Sequence, residues 1–215
     1  YTAPGLFIHE IDTLYAENTL YPATWAQIAY AVDEGYPVWG LSDCYNIGMG
    51  GYIGQGAPPS GQGGNPEGTR GLVTPHASAM ALVTMYADLA QTNLQNIITQ
   101  FPASYHAQYG FYDSLMADPA SPNYGDVSDR FTTIAQGWLF LSIVNAETSM
   151  IWDYFYQDAG VIDAHHDMLV ASNDIQQVFI NEQELYQAMQ LYQPIDIQTI
   201  IPNIRKLTDL FRKNN

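Results

Sequence analysis

Apolar residues recur at helical spacing along most of the chain, and this pattern predicts an all-helical protein. The first predicted helix spans 24–34, with Thr24 as its N-cap and Gly35 as its stop. Thr74-Pro75 opens a second helical run over 76–91. After a break, 93–101 continues that run. No pair of strands is predicted anywhere in the chain.

The second half of the chain predicts further helices around one long apolar segment. The segment 130–156 contains no proline and only one internal glycine, Gly137, which favours a central, buried helix. Before it, 105–125 is rich in turn formers and aromatic residues. After it, four shorter helices are expected, interrupted by prolines 194 and 202: 165–170, 173–179, 182–192 and 197–211.

A long glycine-rich segment, 35–71, interrupts the helical pattern. It holds 12 of the 17 glycines of the chain. We interpret the chain, 1–215, as one domain carrying this loop, because its length and its 47% hydrophobic content suit one sizeable core. A loop of this length either carries function or is a flexible surface excursion.

The composition excludes several classes of partner. A formal net charge of -16 repels phosphate backbones and anionic lipid head groups, so neither nucleic acid nor an anionic membrane surface is an expected partner. No apolar run is long enough for a membrane span. One cysteine, Cys44, permits no intrachain disulfide. The scarcity of lysine and the 16 tyrosines favour a secreted or periplasmic protein. An apolar stretch close to the start, 6–8, with no polar lead-in, predicts a mature or trimmed N-terminus.

Two acidic segments are candidates for carboxylate chemistry. Glu10 and Asp12 lie close together in the first, and glycoside hydrolysis uses one carboxyl as acid and another as base or nucleophile. In the second, Asp43 stands between Trp39 and Tyr45, and such a pattern of rings and acid suits a sugar. The first cluster could equally be a solvated helix end, and Trp39 could equally be a core anchor.

Further candidate sugar contacts lie downstream, at His76, Tyr112, Gln136 and Trp138. Tyr112 belongs to an aromatic turn, which ordinary packing would also explain. Gln136 shares one helical face with residues 140, 143 and 147, and we expect this to be a core face. Adjacent histidines 165 and 166 point apart on a helix, so no metal site is predicted. No phosphate-binding glycine motif is present, and no cofactor is predicted.

Several short motifs, taken in order, resemble the glycoamylase-like family, which includes endo-β-1,2-glucanases and cyclic β-1,2-glucan synthase relatives. They cover roughly residues 5–160. The motifs are Gly5-Leu6-Phe7 with His9, Gln27-Ile28-Ala29-Tyr30-Ala31, Trp39-Gly40-Leu41-Ser42, Gly71-Leu72-Val73-Thr74-Pro75-His76-Ala77-Ser78-Ala79, Tyr109-Gly110-Phe111-Tyr112-Asp113, and Gln136-Gly137 with Asn145.

This resemblance implies an (α/α)6 toroid, of which the chain would supply the C-terminal half, and a glycan as substrate or ligand. It also implies that an N-terminal half-domain chain or a second copy could complete the fold. The family pattern has an aspartate just before Gln136-Gly137, where this chain has Ala135. Two functions therefore stay open: a β-1,2-glucanase-like glycoside hydrolase using Glu10, Asp12 and Asp43, or a non-catalytic glycan-binding or self-assembling extracellular structural protein.

Overall fold

Helices make up most of the structure. A computed structural model describes residues 3–11, 13–48, 50–57 and 70–167 of the 215. The α-helices in these ranges are α1 (Tyr21–Asp33), α2 (Pro75–Met80), α3 (Ala87–Gln100), α4 (Thr133–Thr148), α5 (Met150–Phe155) and α6 (Ala159–His165). Short 3-10 turns occur at Pro4–Leu6, Ala81–Val83 and Pro102–Ser104, and a π-helical turn occurs at Ala16–Leu20. The predicted helices 173–179, 182–192 and 197–211 lie outside the described residues, as does the second half of 165–170.

The first predicted helix is confirmed at its end and wrong at its start. Gly35 has a φ of 73°, a left-handed conformation that glycine adopts without steric cost, and α1 ends just before it. The helix begins earlier than predicted because the preceding π-helical turn runs directly into it. Thr24 is therefore not an N-cap. Its hydroxyl donates a hydrogen bond to the Leu20 carbonyl, one turn back.

Helix α2 is the most buried α-helix among the described residues. Every residue from Pro75 to Met80 is buried, and the helix packs mainly against α4 and α3. Its small residues at 77–79 permit this close approach. The predicted run 76–91 is not continuous, because Thr84 adopts an extended conformation and α3 starts only at Ala87.

The predicted long helix 130–156 is two helices. Ser149, with φ 56°, is the one non-glycine residue with positive φ in the described part of the chain, and it separates α4 from α5. Asn145 secures this junction: its side-chain oxygen accepts hydrogen bonds from the Ile151 and Trp152 amides, and its amide donates to the Leu6 carbonyl. Most of the face expected to be core is exposed, since Phe140 is 62% exposed and residues 143 and 147 are also exposed.

The prediction of no strand pairs is wrong, although each pair is only two residues long. Strand β1 (Cys44–Tyr45) pairs with β2 (Tyr52–Ile53), β3 (Leu72–Val73) with β6 (Leu115–Met116), and β4 (Tyr105–His106) with β5 (Gly110–Phe111), all antiparallel. Sequence periodicity cannot reveal strands this short, because two residues do not make an alternating pattern.

The main core lies between α1, α2, α3 and the strand pairs, and a second cluster lies between the N-terminal segment, α2, α4 and α5. A buried polar network fixes the first. The Asn93 side chain accepts from the Trp39 amide and donates to the Trp39 carbonyl and to the Ser78 hydroxyl. No helix in the described ranges is long and apolar enough to span a membrane.

Candidate functional site

A surface pocket of about 280 Å³ lies beside Asp43, and we call it the Asp43 pocket. This volume is close to the lower end of the range for small-ligand sites, about 300–1,000 Å³. Its apolar lining side chains include Trp138 from α4 and Met80 from α2, and its polar ones include Asp43 and Gln27. Its lining residues are Ala3, Ala23, Gln27, Leu41, Ser42, Asp43, Gln55, Gly56, Ala57, Met80 and Trp138.

The backbone before Asp43 is held by contacts that only glycine allows. Gly40 has a φ of 131°, and a Cβ there would lie 2.6 Å from the Ser78 hydroxyl and 2.7 Å from the Thr74 carbonyl oxygen. The next residue, Leu41, donates its amide to the Gln27 side-chain oxygen at 2.7 Å. The loop that carries Asp43 is therefore fixed against both α1 and α2.

Asp43 itself is exposed, and the strand pair that follows it holds its position. Its Oδ1 accepts the Gln55 amide at 3.2 Å, and its carbonyl accepts the Tyr52 hydroxyl at 2.9 Å. These bonds leave carboxylate lone pairs free to accept hydrogen bonds from a ligand. A carboxylate and an indole ring that line the same pocket suit a pyranose, whose hydroxyls donate and whose C–H face packs on aromatics.

His76 does not line this pocket but contacts Trp138, which does. It is fully buried, and its ring centroid is 5.6 Å from that of Trp138. Neither ring nitrogen has a hydrogen-bond partner among the described residues. Burial lowers the pKa of His76 to about 4, against the opposing negative charges of Asp113 and Asp43. His76 is therefore neutral at pH 7 and supports Trp138 by packing.

Asp113 is a fully buried acid that the sequence pattern did not single out. Its Oδ2 accepts the Tyr45 amide at 2.6 Å, and its Oδ1 accepts the Thr132 hydroxyl at 2.5 Å. It thereby joins the strand after Asp43 to the residue that precedes α4. The sequence offered one signal that could have identified Asp113: it is the single acid at the end of the aromatic turn that begins at Tyr109.

Glu10 is buried away from the Asp43 pocket. It is 5% exposed, and its Oε2 has no hydrogen-bond partner among the described residues. A Cβ on Gly5 would lie 3.4 Å from that oxygen. Desolvation by burial raises the pKa of Glu10 from 4.5 to about 7. The carboxyl therefore retains a proton near neutral pH, as a general acid requires.

The structure brings some of the predicted site residues together and separates others. Asp43 and Trp138 line one pocket, and His76 contacts Trp138, whereas Glu10 does not line that pocket. Trp39 is 9% exposed and belongs to the main core. Asp12 lies outside the described residues.

The other three predicted sugar contacts, Tyr45, Tyr112 and Gln136, do not line the Asp43 pocket. The guanidinium of Arg130 lies 5.2 Å above the Tyr45 ring. The Tyr112 ring stacks on Phe131, with centroids 4.2 Å apart. The Gln136 side-chain amide donates to the Phe111 carbonyl at 2.5 Å. Each of these side chains therefore has a packing or bonding role within the fold.

Ala135 is buried, at 1% exposure, on the inner side of α4. Thr132 precedes it by three residues and so lies on the same side of the helix, where it bonds Asp113. An aspartate at position 135 would therefore place a second carboxylate on the side of α4 that faces Asp113. In this chain that side carries a methyl group, which can neither donate nor accept a proton.

Comparison with solved structures reveals the same helical fold in several larger proteins. A putative glucoamylase from Bacteroides fragilis NCTC 9343 matches with a TM-score of 0.59 and 19% identity, over 76% of this chain and 38% of that one. A beta-1,2-glucanase from Parabacteroides distasonis matches with a TM-score of 0.58 and 19% identity, over 75% of this chain and 23% of that one. An endo-beta-1,2-glucanase from Chitinophaga pinensis, in complex with sophorotriose and glucose, gives 0.51 and 16%, over 68% and 32%.

These likenesses confirm the expected fold class, a helical toroid of which this chain carries a part. The chain spans between about a quarter and two fifths of the length of these structures. No curated protein matches it significantly. The model of the Glycoamylase family, described as "Putative glucoamylase", matches residues 7–159, which is most of the chain. The chain belongs to the glycoamylase family.

Proposed function

We propose that this chain is part of a glycoside hydrolase domain that acts on a glucan, and that the Asp43 pocket holds one sugar ring. The observation that carries the proposal is that Asp43 and Trp138 line the same pocket, in a member of the glycoamylase family. An acceptor for hydroxyl groups and an apolar ring thus border one space suited to a small ligand.

Two carboxyls have different roles in this proposal. Asp43, at the pocket surface, accepts hydrogen bonds from the sugar or from an attacking water. Glu10, with a pKa of about 7, holds a proton near neutral pH, but it is buried and does not line the Asp43 pocket, so it can protonate a leaving oxygen only where the glycan extends beyond that pocket. Because the β-1,2-glucanases named above share this fold, a β-1,2-linked glucan is the first substrate to test.

The experiment is hydrolysis of β-1,2-glucan, with β-1,3-, β-1,4- and α-linked glucans in parallel, measured as new reducing ends. Release of short sugars is expected from β-1,2-glucan. Asp43→Asn should lower kcat/KM by about a hundredfold or more, since it removes an acid–base group. The matched control is Asp33→Asn, at an exposed position near the end of α1. Equal activity of the Asp43 variant and its control would refute the role of Asp43.

A second function, glycan binding without cleavage, is favoured by one observation, the buried Ala135. If an acid at this position serves catalysis in the family, this chain keeps the pocket and lacks a proton carrier. The unmodified chain would then bind the glucan without cleaving it. Ala135→Asp would introduce cleavage in this case, while a hydrolase that uses Glu10 and Asp43 would be active without the change.

We also propose that further helices, from a neighbouring half-domain or a second copy, complete the toroid. Large apolar side chains are exposed on α4 and α5, with Phe140 at 62% and Tyr154 at 74% exposure. Apolar surface of this kind is typical of an interface. Sedimentation of the chain alone, and of a longer segment if the protein has one, measures whether a partner covers it.

A further inference from the structure

A second pocket is lined by Trp152, a member of the second hydrophobic cluster, and we call it the Tyr156 pocket. It has a volume of about 320 Å³. It shares no lining residue with the Asp43 pocket, and none of its residues was predicted as a site residue. The lining residues are His9, Ser149, Trp152, Asp153, Tyr156 and His165.

One side of this pocket is ordered by a chain of hydrogen bonds. The His9 amide donates to the Tyr156 hydroxyl oxygen at 3.0 Å, and that hydroxyl lies 2.5 Å from Nδ1 of His165. Burial, followed by the neighbouring His9 and His166, lowers the pKa of His165, so its ring is neutral at pH 7. When Nδ1 accepts the tyrosine hydrogen, Nε2 keeps the proton of the ring and is a donor.

The other side combines a rigid ring with acceptors. Trp152 is 9% exposed, and its indole N–H donates to the Gly5 carbonyl at 2.9 Å, which fixes the ring plane. The His9 ring meets it edge-on, with centroids 4.5 Å apart. Asp153 is exposed and supplies a carboxylate, and Ser149 supplies a hydroxyl from its left-handed position.

The charges at this pocket select against most classes of ligand. Among the described residues no lysine or arginine lines it, and Asp153 carries a negative charge, so phosphate and carboxylate ligands would be repelled by this part of the pocket. In the part of the chain that the structure describes, no group of three or more histidine, cysteine or acidic side chains could hold a metal ion. Donors, acceptors and aromatic edges in a space of this size suit a small neutral molecule with several hydroxyls.

We infer that the Tyr156 pocket is a second glycan-binding site, which takes one neutral sugar unit through Asp153, the Tyr156–His165 pair and the flank of Trp152. The inference deepens the proposed function and rests on it for the class of ligand. The second site would add a glycan contact outside the Asp43 pocket. The two pockets could then hold one glycan chain together or two chains separately.

Two of the four tryptophans permit a test of each pocket in the same sample, since Trp138 lines the Asp43 pocket and Trp152 lines the Tyr156 pocket. The ¹⁵N-labelled full chain is titrated with sophorotriose at pH 7, and the assigned indole N–H signals are followed by NMR. Both signals are expected to shift with saturation. Inorganic phosphate is titrated separately and should shift neither.

Two variants assign the second response to the Tyr156 pocket. Asp153→Asn and Tyr156→Phe should each raise the Kd obtained from the Trp152 signal by about tenfold, the usual effect of losing one or two hydrogen bonds. The Kd obtained from the Trp138 signal should not change. The matched controls are Asp163→Asn and Tyr154→Phe, both at exposed positions outside the pocket. Asp153 is exposed, so its variant should fold normally even if Tyr156→Phe does not.

The outcomes separate the two proposals. A shift at Trp138 without one at Trp152 would overturn the second site and leave the Asp43 pocket supported. A shift at Trp152 alone would support the second site and count against the Asp43 pocket. Shifts at neither would refute both, and saturable phosphate binding at Trp152 would overturn the assignment of a neutral ligand.

Discussion

The buried carboxyl of Glu10 should make folding stability fall as the pH rises. Its pKa is about 7 in the folded chain, against an ordinary 4.5. Between these values the folded state holds a proton that the unfolded state has released, so the free energy of unfolding decreases with pH. The full shift corresponds to about 3 kcal/mol at 1.36 kcal/mol per unit. Between pH 5 and pH 8 this single group contributes a loss of about 2.5 kcal/mol.

His76 acts in the opposite direction and would conceal this effect in the unmodified protein. Its folded pKa is lowered to about 4 from an ordinary 6.5, so the unfolded state binds the extra proton and stability increases with pH across that window. Over pH 5 to 8 the gain is about 2 kcal/mol, which nearly cancels the loss from Glu10. The informative quantity is therefore the difference between the protein and a Glu10 variant.

Glu10→Gln keeps the shape of the protonated carboxyl and cannot ionise. Urea unfolding at pH 5 and pH 8 should show the variant gaining about 2.5 kcal/mol relative to the unmodified chain between the two pH values. Glu17→Gln, at an exposed position in the same segment, should show no such gain. If the two variants respond to pH alike, Glu10 is not held in a desolvated site and its assignment as the acid loses its basis.

Three further predictions concern stability and are measured by denaturant unfolding. Gly71→Ala should destabilise the fold by more than about 2 kcal/mol, because Gly71 has a φ of 89° and a Cβ there would lie 2.3 Å from the Asp118 Cβ. Its control, Gly137→Ala, has open space in α4 and should stabilise the fold by about 0.5–1 kcal/mol. Asn93→Ala should cost about 2–3 kcal/mol by leaving the Trp39 amide buried without its acceptor, and an unchanged midpoint would contradict the network. Ala135→Asp should lower the free energy of unfolding by about 3 kcal/mol at pH 7, because the new carboxylate would be buried. The loss should be smaller at pH 4, and equal losses at the two pH values would exclude a buried carboxylate.

Features of the fold that depend on one residue were predictable from the sequence, whereas features that depend on contacts elsewhere in the chain were not. The stop at Gly35 is local, since one residue determines whether the backbone can turn, and it was predictable. The break at Ser149 was not, because serine is not a typical left-handed residue. It is imposed there by the hydrogen bonds of Asn145 to the next helix. Similarly, an extended Thr84 interrupts an otherwise helical pattern.

The candidate site was likewise predictable only where its residues are close together in the sequence. Asp43 was recognisable as an acid among rings, but its partner Trp138 lies on a helix far along the chain, and no spacing rule joins the two. Burial was equally hidden, so the sequence could list Glu10 beside Asp43 without revealing that one is enclosed and the other exposed. Asp113 was overlooked because its importance comes from the two chain segments that it joins.

The contacts that hold the N-terminal segment have a consequence for the order of folding. Leu6 is bonded by Asn145 and Gly5 by Trp152, across 139 and 147 residues of sequence. Closing a loop of that length carries a large entropic cost, and contacts of high sequence separation slow folding. During synthesis, residues near Gly5 emerge before α4 and α5 and must wait for these helices before they can dock. The segment that carries Glu10 should therefore be among the last parts of the chain to gain protection from hydrogen exchange.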